Sequence, residues 1–144
     1  MSSILIVDDE QSMREFLRIL LEKDGHTVQA AASGSAAIDL VEDHDLDLVI
    51  TDIRMPGISG LELLAEVKKR KPDLPVIMIT AYASPDDAVR AMKDGAFDYI
   101  TKPFKIEEIK RVIRSATARK NTEQDRADLD GFSEIIGQSP EMTR

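Results

Sequence analysis

The feature that most restricts the folds open to this chain is an alternation. Five short apolar runs take turns with five segments of helical periodicity. The runs are "SILIVD" (3–8), "HTVQAA" (26–31), "LDLVITD" (46–52), "LPVIMIT" (74–80) and "AFDYIT" (96–101). The first is continuous in apolar residues rather than alternating, as expected of a strand covered on both faces. Between the runs, Met13, Phe16, Leu17, Leu20 and Leu21 recur at helical spacing, and Gly25 closes that segment. Ser33 and Ser59 stand where helix caps are expected. Ser84 is followed by Pro85, Asp86 and Asp87, a strong helix start, and Gly95 ends that helix. The last helix runs from Lys105 to Lys120.

Strand and helix in this rhythm predict right-handed crossovers and a parallel sheet with helices on both faces. The fold class is α/β: a flavodoxin-like, doubly wound, five-stranded sheet of order 2-1-3-4-5 with five helices, the last of them extended. Aromatics are only 4% of the 144 residues and there is no Trp, so Val, Ile, Leu and Ala must fill the core. Cysteine is absent, which excludes disulfides, thiol catalysis and Cys-based metal sites. A net charge of −8 disfavours nucleic acid and anionic membrane as partners of this segment. The opening "MSSILIVDDE" is not a secretory signal, and no apolar run spans a bilayer, so a soluble cytoplasmic protein is expected.

In an open parallel sheet, ligands bind beyond the carboxyl ends of the strands. This chain places Asp8 and Asp9 after the first strand, Asp52 after the third, Thr80 after the fourth, and Thr101 and Lys102 after the fifth. Asp52 is not a simple helix cap, because the next good helix start is Ser59. Three carboxylates in one crevice repel: two unit charges ~4 Å apart cost about 4 kcal/mol at an effective dielectric of ~20. Lys102 offsets part of this, and a hard divalent cation such as Mg²⁺ offsets more. The constellation points to metal-assisted phosphoryl transfer, in which an aspartate carboxylate can be the nucleophile.

The stretches "ILIVDDE", "VITDIRMPG", "VIMITAYAS" and "FDYITKPF", each at a strand end, together resemble the receiver domain of two-component response regulators. The predicted strand order is that family's own, so order and resemblance are one observation rather than two. The resemblance implies that Asp52 accepts the phosphoryl group from a sensor histidine kinase. It implies Mg²⁺ held by Asp9, by Asp52 and by the backbone carbonyl of Arg54, with Asp8 acting through water. Thr80 and Lys102 would bind phosphoryl oxygens, across a cis Lys102–Pro103 peptide. Tyr99 would turn inward as Thr80 moves. Arg54 and Tyr82 fall at the rim, where a bulky Tyr82 would slow hydrolysis. The only catalysis implied is the domain's own phosphorylation and dephosphorylation at aspartate.

The closing "FSEIIGQSPEM" resembles the opening of the AAA+ ATPase domain in NtrC-type sigma-54-dependent activators. The expected organisation is a receiver over residues 1–118, a partly helical linker over 119–131, and the edge of a truncated ATPase domain over 132–144. A phosphate-binding loop is absent from the chain, so DNA and ATP would be handled only by domains outside it. Ile106, Ile109, Val112 and Ile113 offer more apolar surface than one side of a fifth helix needs, which predicts a homodimer contact through the fourth helix, fifth strand, fifth helix and linker. His26 and His44 lack paired-ligand spacing and are expected at the surface. Three rival functions each want residues that differ from those present. A Mg²⁺-dependent aspartyl phosphatase would want a second acid two residues after Asp52, where Arg54 stands. A flavin carrier would want a Ser/Thr/Gly loop where "DDEQS" stands. A stand-alone receiver would have no use for the segment from Phe132.

Overall fold

The five apolar runs become five parallel strands: β1 (Ser3–Val7), β2 (Thr27–Ala31), β3 (Leu48–Asp52), β4 (Val76–Thr80) and β5 (Asp98–Thr101). The helices between and after them are α1 (Gln11–Lys23), α2 (Gly34–Asp43), α3 (Gly60–Arg70), α4 (Pro85–Lys93) and α5 (Ile106–Asp128). This computed structural model describes residues 2–81 and 84–128, the last ten of them (119–128) by backbone alone. Tyr82 and the tail from residue 129 therefore lie outside the described residues.

The sheet order is β2-β1-β3-β4-β5. The chain leaves β1 to one side for β2 and then crosses to the other side for β3. The crossovers before and after β2, through α1 and α2, thus run over opposite faces and leave a crevice between the ends of β1 and β3.

Side chains alternate across each strand, so one strand feeds two cores. On one face Ile4, Ile6, Leu48, Ile50, Ile77, Ile79 and Ile100 pack with Leu17 and Leu21 of α1 and with Ile109, Val112, Ile113 and Ala116 of α5. On the other face Leu5, Val7, Val49, Val76 and Met78 pack with α2, α3 and α4 through Ala37, Leu63, Leu64, Val67 and Ala91. The continuous apolar strands of the sequence are thereby explained, since both faces are covered.

The helix starts follow capping chemistry. The Ser33 and Ser84 hydroxyls each accept from the backbone N–H three residues on. Ser59 forms a reciprocal capping box with Glu62. The α1 start differs: its cap residue, Glu10, makes no side-chain capping bond. The acids before α1 are therefore not there to cap it in that way.

Two expectations are corrected. Ile109, Val112 and Ile113 are buried against the sheet, and only Ile106 of that quartet is well exposed, at 45%. The 3.6-residue period brings those three inward, so they supply core rather than a contact with a second copy. His26 is half-buried rather than a surface residue, because its Nδ1 accepts the Ser2 N–H at 3.2 Å. That bond ties the turn before β2 to the edge of β1. His44 is exposed, as expected.

Candidate functional site

Asp8 follows β1 directly and is buried, at 3% exposed. Its Oδ1 accepts the Glu10 N–H at 2.9 Å, which turns the chain toward α1 and leaves Oδ2 facing Lys102. The Arg14 guanidinium reaches back from α1 and donates to the Asp8 carbonyl at 2.8 Å, pinning the same turn from below. Asp9, next in the chain, is exposed.

Asp52 ends β3 and is nearly buried. The Arg54 N–H donates to its Oδ1 at 3.3 Å. The loop that follows needs two glycines. Gly57 has φ +78, in the left-handed region. Gly60, the first residue of α3, approaches β3 so closely that a Cβ there would lie 2.1 Å from the Asp52 carbonyl oxygen. The Gly60 N–H donates to the Ile53 carbonyl at 2.7 Å, so α3 begins against the strand end that carries Asp52.

The Lys102 ammonium lies 3.4 Å from Asp52 Oδ2 and 3.5 Å from Asp8 Oδ2, a bridge between two strand ends. Its backbone N–H donates to the Thr80 carbonyl at 2.7 Å, which ties it to β4. The Lys102–Pro103 peptide is cis. Thr80 is fully buried at the end of β4, in register with Thr101. Burial holds the Asp8 carboxyl above its usual pKa, partly offset by the Glu10 N–H and by Lys102. The neighbouring Asp52 charge pushes the same way as burial.

Asp8, Asp9 and Asp52 each present an oxygen within 4.8 Å of the others. Oxygens on opposite sides of a Mg²⁺ ion bound at ~2.1 Å are about 4.2 Å apart, so this all-oxygen set is close to what that ion requires. Beside the cluster opens a cavity of about 760 Å³, lined among others by Asp9, Asp52, Arg54, Asp87 and Lys102. Acids outnumber bases there, so a cation is drawn in and a phosphate without one is repelled.

The residues singled out from the sequence are thus distributed as follows. Asp8, Asp9, Asp52 and Lys102 meet, and Arg54 lines the cavity mouth. Thr80 sits one strand over. Tyr99 does not line the cavity: it packs on the α2–α3–α4 side core, its hydroxyl enclosed without a hydrogen-bond partner among the described residues. Arg14, Gly60 and Asp87 were missed. Gly60 left a faint trace in "GISG", but its close approach to β3 is a tertiary fact. The Ser84 cap placed Asp87 on the first turn of α4 and said nothing of what it faces.

Three acids and a lysine at the switch point of a doubly wound sheet form a site suited to a divalent cation and a phosphoryl group, as in signalling receivers. The comparisons agree: the family described as Response regulator receiver domain matches residues 4–114. The chain is 39% identical over 138 residues to the response regulator protein PilR of Pseudomonas aeruginosa, covering 96% of this chain and 31% of that protein. It is 37% identical over 142 residues to the DNA-binding transcriptional regulator NtrC of Escherichia coli, covering 96% and 30%. A crystal structure of a receiver domain protein from Clostridium thermocellum superposes with a TM-score of 0.80 at 37% identity, covering 85% of this chain and 99% of that one. The chain belongs to the response regulator receiver family and is related to the NtrC and PilR regulators. It spans about a third of the length of those two relatives. Receiver domains generally bind Mg²⁺ at an acidic pocket, and the aspartate cluster is a pocket of that kind.

Proposed function

We propose that this chain is a phosphoaspartate switch: Asp52 accepts a phosphoryl group from a sensor histidine kinase, and the change is passed to an NtrC-type ATPase domain that follows residue 131. The observation that supports it most is Lys102 bridging Asp8 and Asp52 beside Asp9. Asp8, Asp9, Asp52 and the Arg54 carbonyl would hold Mg²⁺, which supplies charge neutralisation for the incoming phosphoryl oxygens. The chain's own residues do the rest. An Asp52 carboxylate oxygen attacks phosphorus as the P–N bond to the donor imidazole breaks, and the imidazole leaves with the electron pair. Lys102 moves from bridging carboxylates to binding a phosphoryl oxygen. Thr80 supplies a hydroxyl to another, and Tyr99 occupies the space that Thr80 vacates. The equilibrium between two packings then shifts toward the one that holds the phosphoryl group.

Exposed Val89 and Met92 on α4 and Ile106 on α5 support a homodimer contact on that side, in place of the buried residues of α5. Residues 119–131 would link the receiver to the ATPase edge over 132–144. Among the described residues no helix is long and apolar enough to cross a membrane.

Incubation with a small acyl-phosphate donor and Mg²⁺, read by intact mass, tests the reading. One phosphoryl group is expected on the native chain and none on Asp52→Asn. Equal labelling of both would overturn it. Sedimentation with and without the donor tests the dimer, and a monomer in both states removes that part alone.

A further inference from the structure

Asp9 is the exposed member of the aspartate cluster, yet it presents an oxygen within 4.8 Å of those of Asp8 and Asp52. Among the described residues no donor bonds to its carboxylate. An exposed side chain without a bond keeps its direction only if the backbone beneath it is held.

Both peptide planes that flank Asp9 are held. A peptide unit is planar, so a bond to its oxygen or its N–H restrains the whole plate. The Asp8 carbonyl, in the plane leading into Asp9, accepts from the Arg14 guanidinium at 2.8 Å. The Glu10 N–H, in the plane leading out, donates to Asp8 Oδ1 at 2.9 Å. On the sheet side the Asp8 N–H donates to the Ala31 carbonyl at 3.2 Å. Arg14 stands on the first turn of α1, half-buried, and its guanidinium makes no ion pair among the described residues. Its charge works against a cation at the cluster. By Coulomb's law alone, removing it would tighten cation binding. Its geometry works the other way, because it sets the plate from which Asp9 projects.

We propose that Arg14 is a positioning residue for the divalent cation: by holding the Asp8–Asp9 peptide it keeps the Asp9 carboxylate turned toward Asp8 and Asp52, and this gain in cation affinity exceeds what its charge costs. The proposal rests on the Mg²⁺ part of the functional reading.

The test is calorimetric titration of the full chain with Mg²⁺ alone. Arg14→Met keeps an apolar stem and removes the donor. It is expected to raise Kd about tenfold, the low end for a residue that orients a metal ligand. Arg18→Met removes a cation from the next turn of α1, where Arg18 pairs with Glu22 at 3.6 Å, and should leave Kd unaltered. In the metal-free chain, ¹⁵N relaxation should show the Asp9 amide more mobile in Arg14→Met and unchanged in Arg18→Met. If Arg14→Met does not fold, Arg14→Gln, a shorter and uncharged side chain, is read for the same two quantities. A Kd that falls or stays constant without Arg14 overturns the proposal, since charge then matches or outweighs geometry. Weaker binding with an Asp9 amide as rigid as in the native chain overturns it too, as does an equal loss in Arg18→Met. Those results leave the functional reading standing. Absence of Mg²⁺ binding by the native chain defeats the metal reading and this proposal with it.

Discussion

Gly60→Ala is the substitution whose cost the structure predicts most directly. The new Cβ would stand 2.1 Å from the Asp52 carbonyl oxygen, 2.7 Å from Ile53 Cα and 2.9 Å from the Asp52 carbonyl carbon. The first is roughly 1.3 Å short of ordinary contact. All three atoms are backbone, so no side chain can swing aside. Moving α3 outward would stretch the 2.7 Å bond from Gly60 N–H to the Ile53 carbonyl. Moving β3 would disturb its pairing with β1 on one side and β4 on the other. Overpacking costs ~1–3 kcal/mol, and losing a backbone hydrogen bond adds about 1. The better helix propensity of alanine returns at most ~1. A net loss of about 3 kcal/mol is expected, which lowers Tm by roughly 10 °C in a domain of this size. Urea denaturation and thermal melting read it. Gly57→Ala is the control. There a Cβ meets nothing within 4 Å, so only the left-handed backbone is penalised, by ~1–2 kcal/mol. A Gly60→Ala chain within about 0.5 kcal/mol of native would refute the claim that α3 is anchored against the strand end carrying Asp52.

Lys102→Met removes the cation between Asp8 and Asp52, and about 3 kcal/mol of stability without added metal should go with it. Denaturation curves with and without Mg²⁺ should show the ion restoring more stability to the variant than to the native chain. Tyr99→Phe deletes an enclosed hydroxyl that has no partner among the described residues, so the variant should gain about 1 kcal/mol; a loss would mean that the hydroxyl is bonded in solution. Burial lowers the His26 pKa, and its Nδ1 must be unprotonated to accept from Ser2. That contribution to stability is present above the unfolded value of about 6.5 and is lost as pH falls through the folded value. His26→Gln should flatten a stability-against-pH curve in that window, and an unchanged slope would exclude the coupling.

The fold was legible because each element carries its own signal. Ser33, Ser59 and Ser84 cap the helices at which they stand. The apolar strands required cover on both sides, and two cores supply it. The carboxylates were legible because strand ends are sequence positions, whereas the adjacency of β1 and β3 came with the family resemblance, since alternation by itself does not fix strand order. The surplus read into α5 failed for a related reason. Periodicity shows that Ile109, Val112 and Ile113 share a face, but not how much of that face a sheet will cover.

What the chain's order of residues determined by itself is therefore one-dimensional: which segments are strands, where helices start, and that acids fall at strand termini. The tertiary structure alone decided the rest. It set the Lys102 ammonium between two carboxylates 94 and 50 positions away. It pressed Gly60 onto the Asp52 backbone and set Arg54 across from Asp87. Those are distances between segments remote in sequence. Packing sets such distances to within an ångström, whereas hydrophobic period and capping chemistry report only on neighbours a few residues apart.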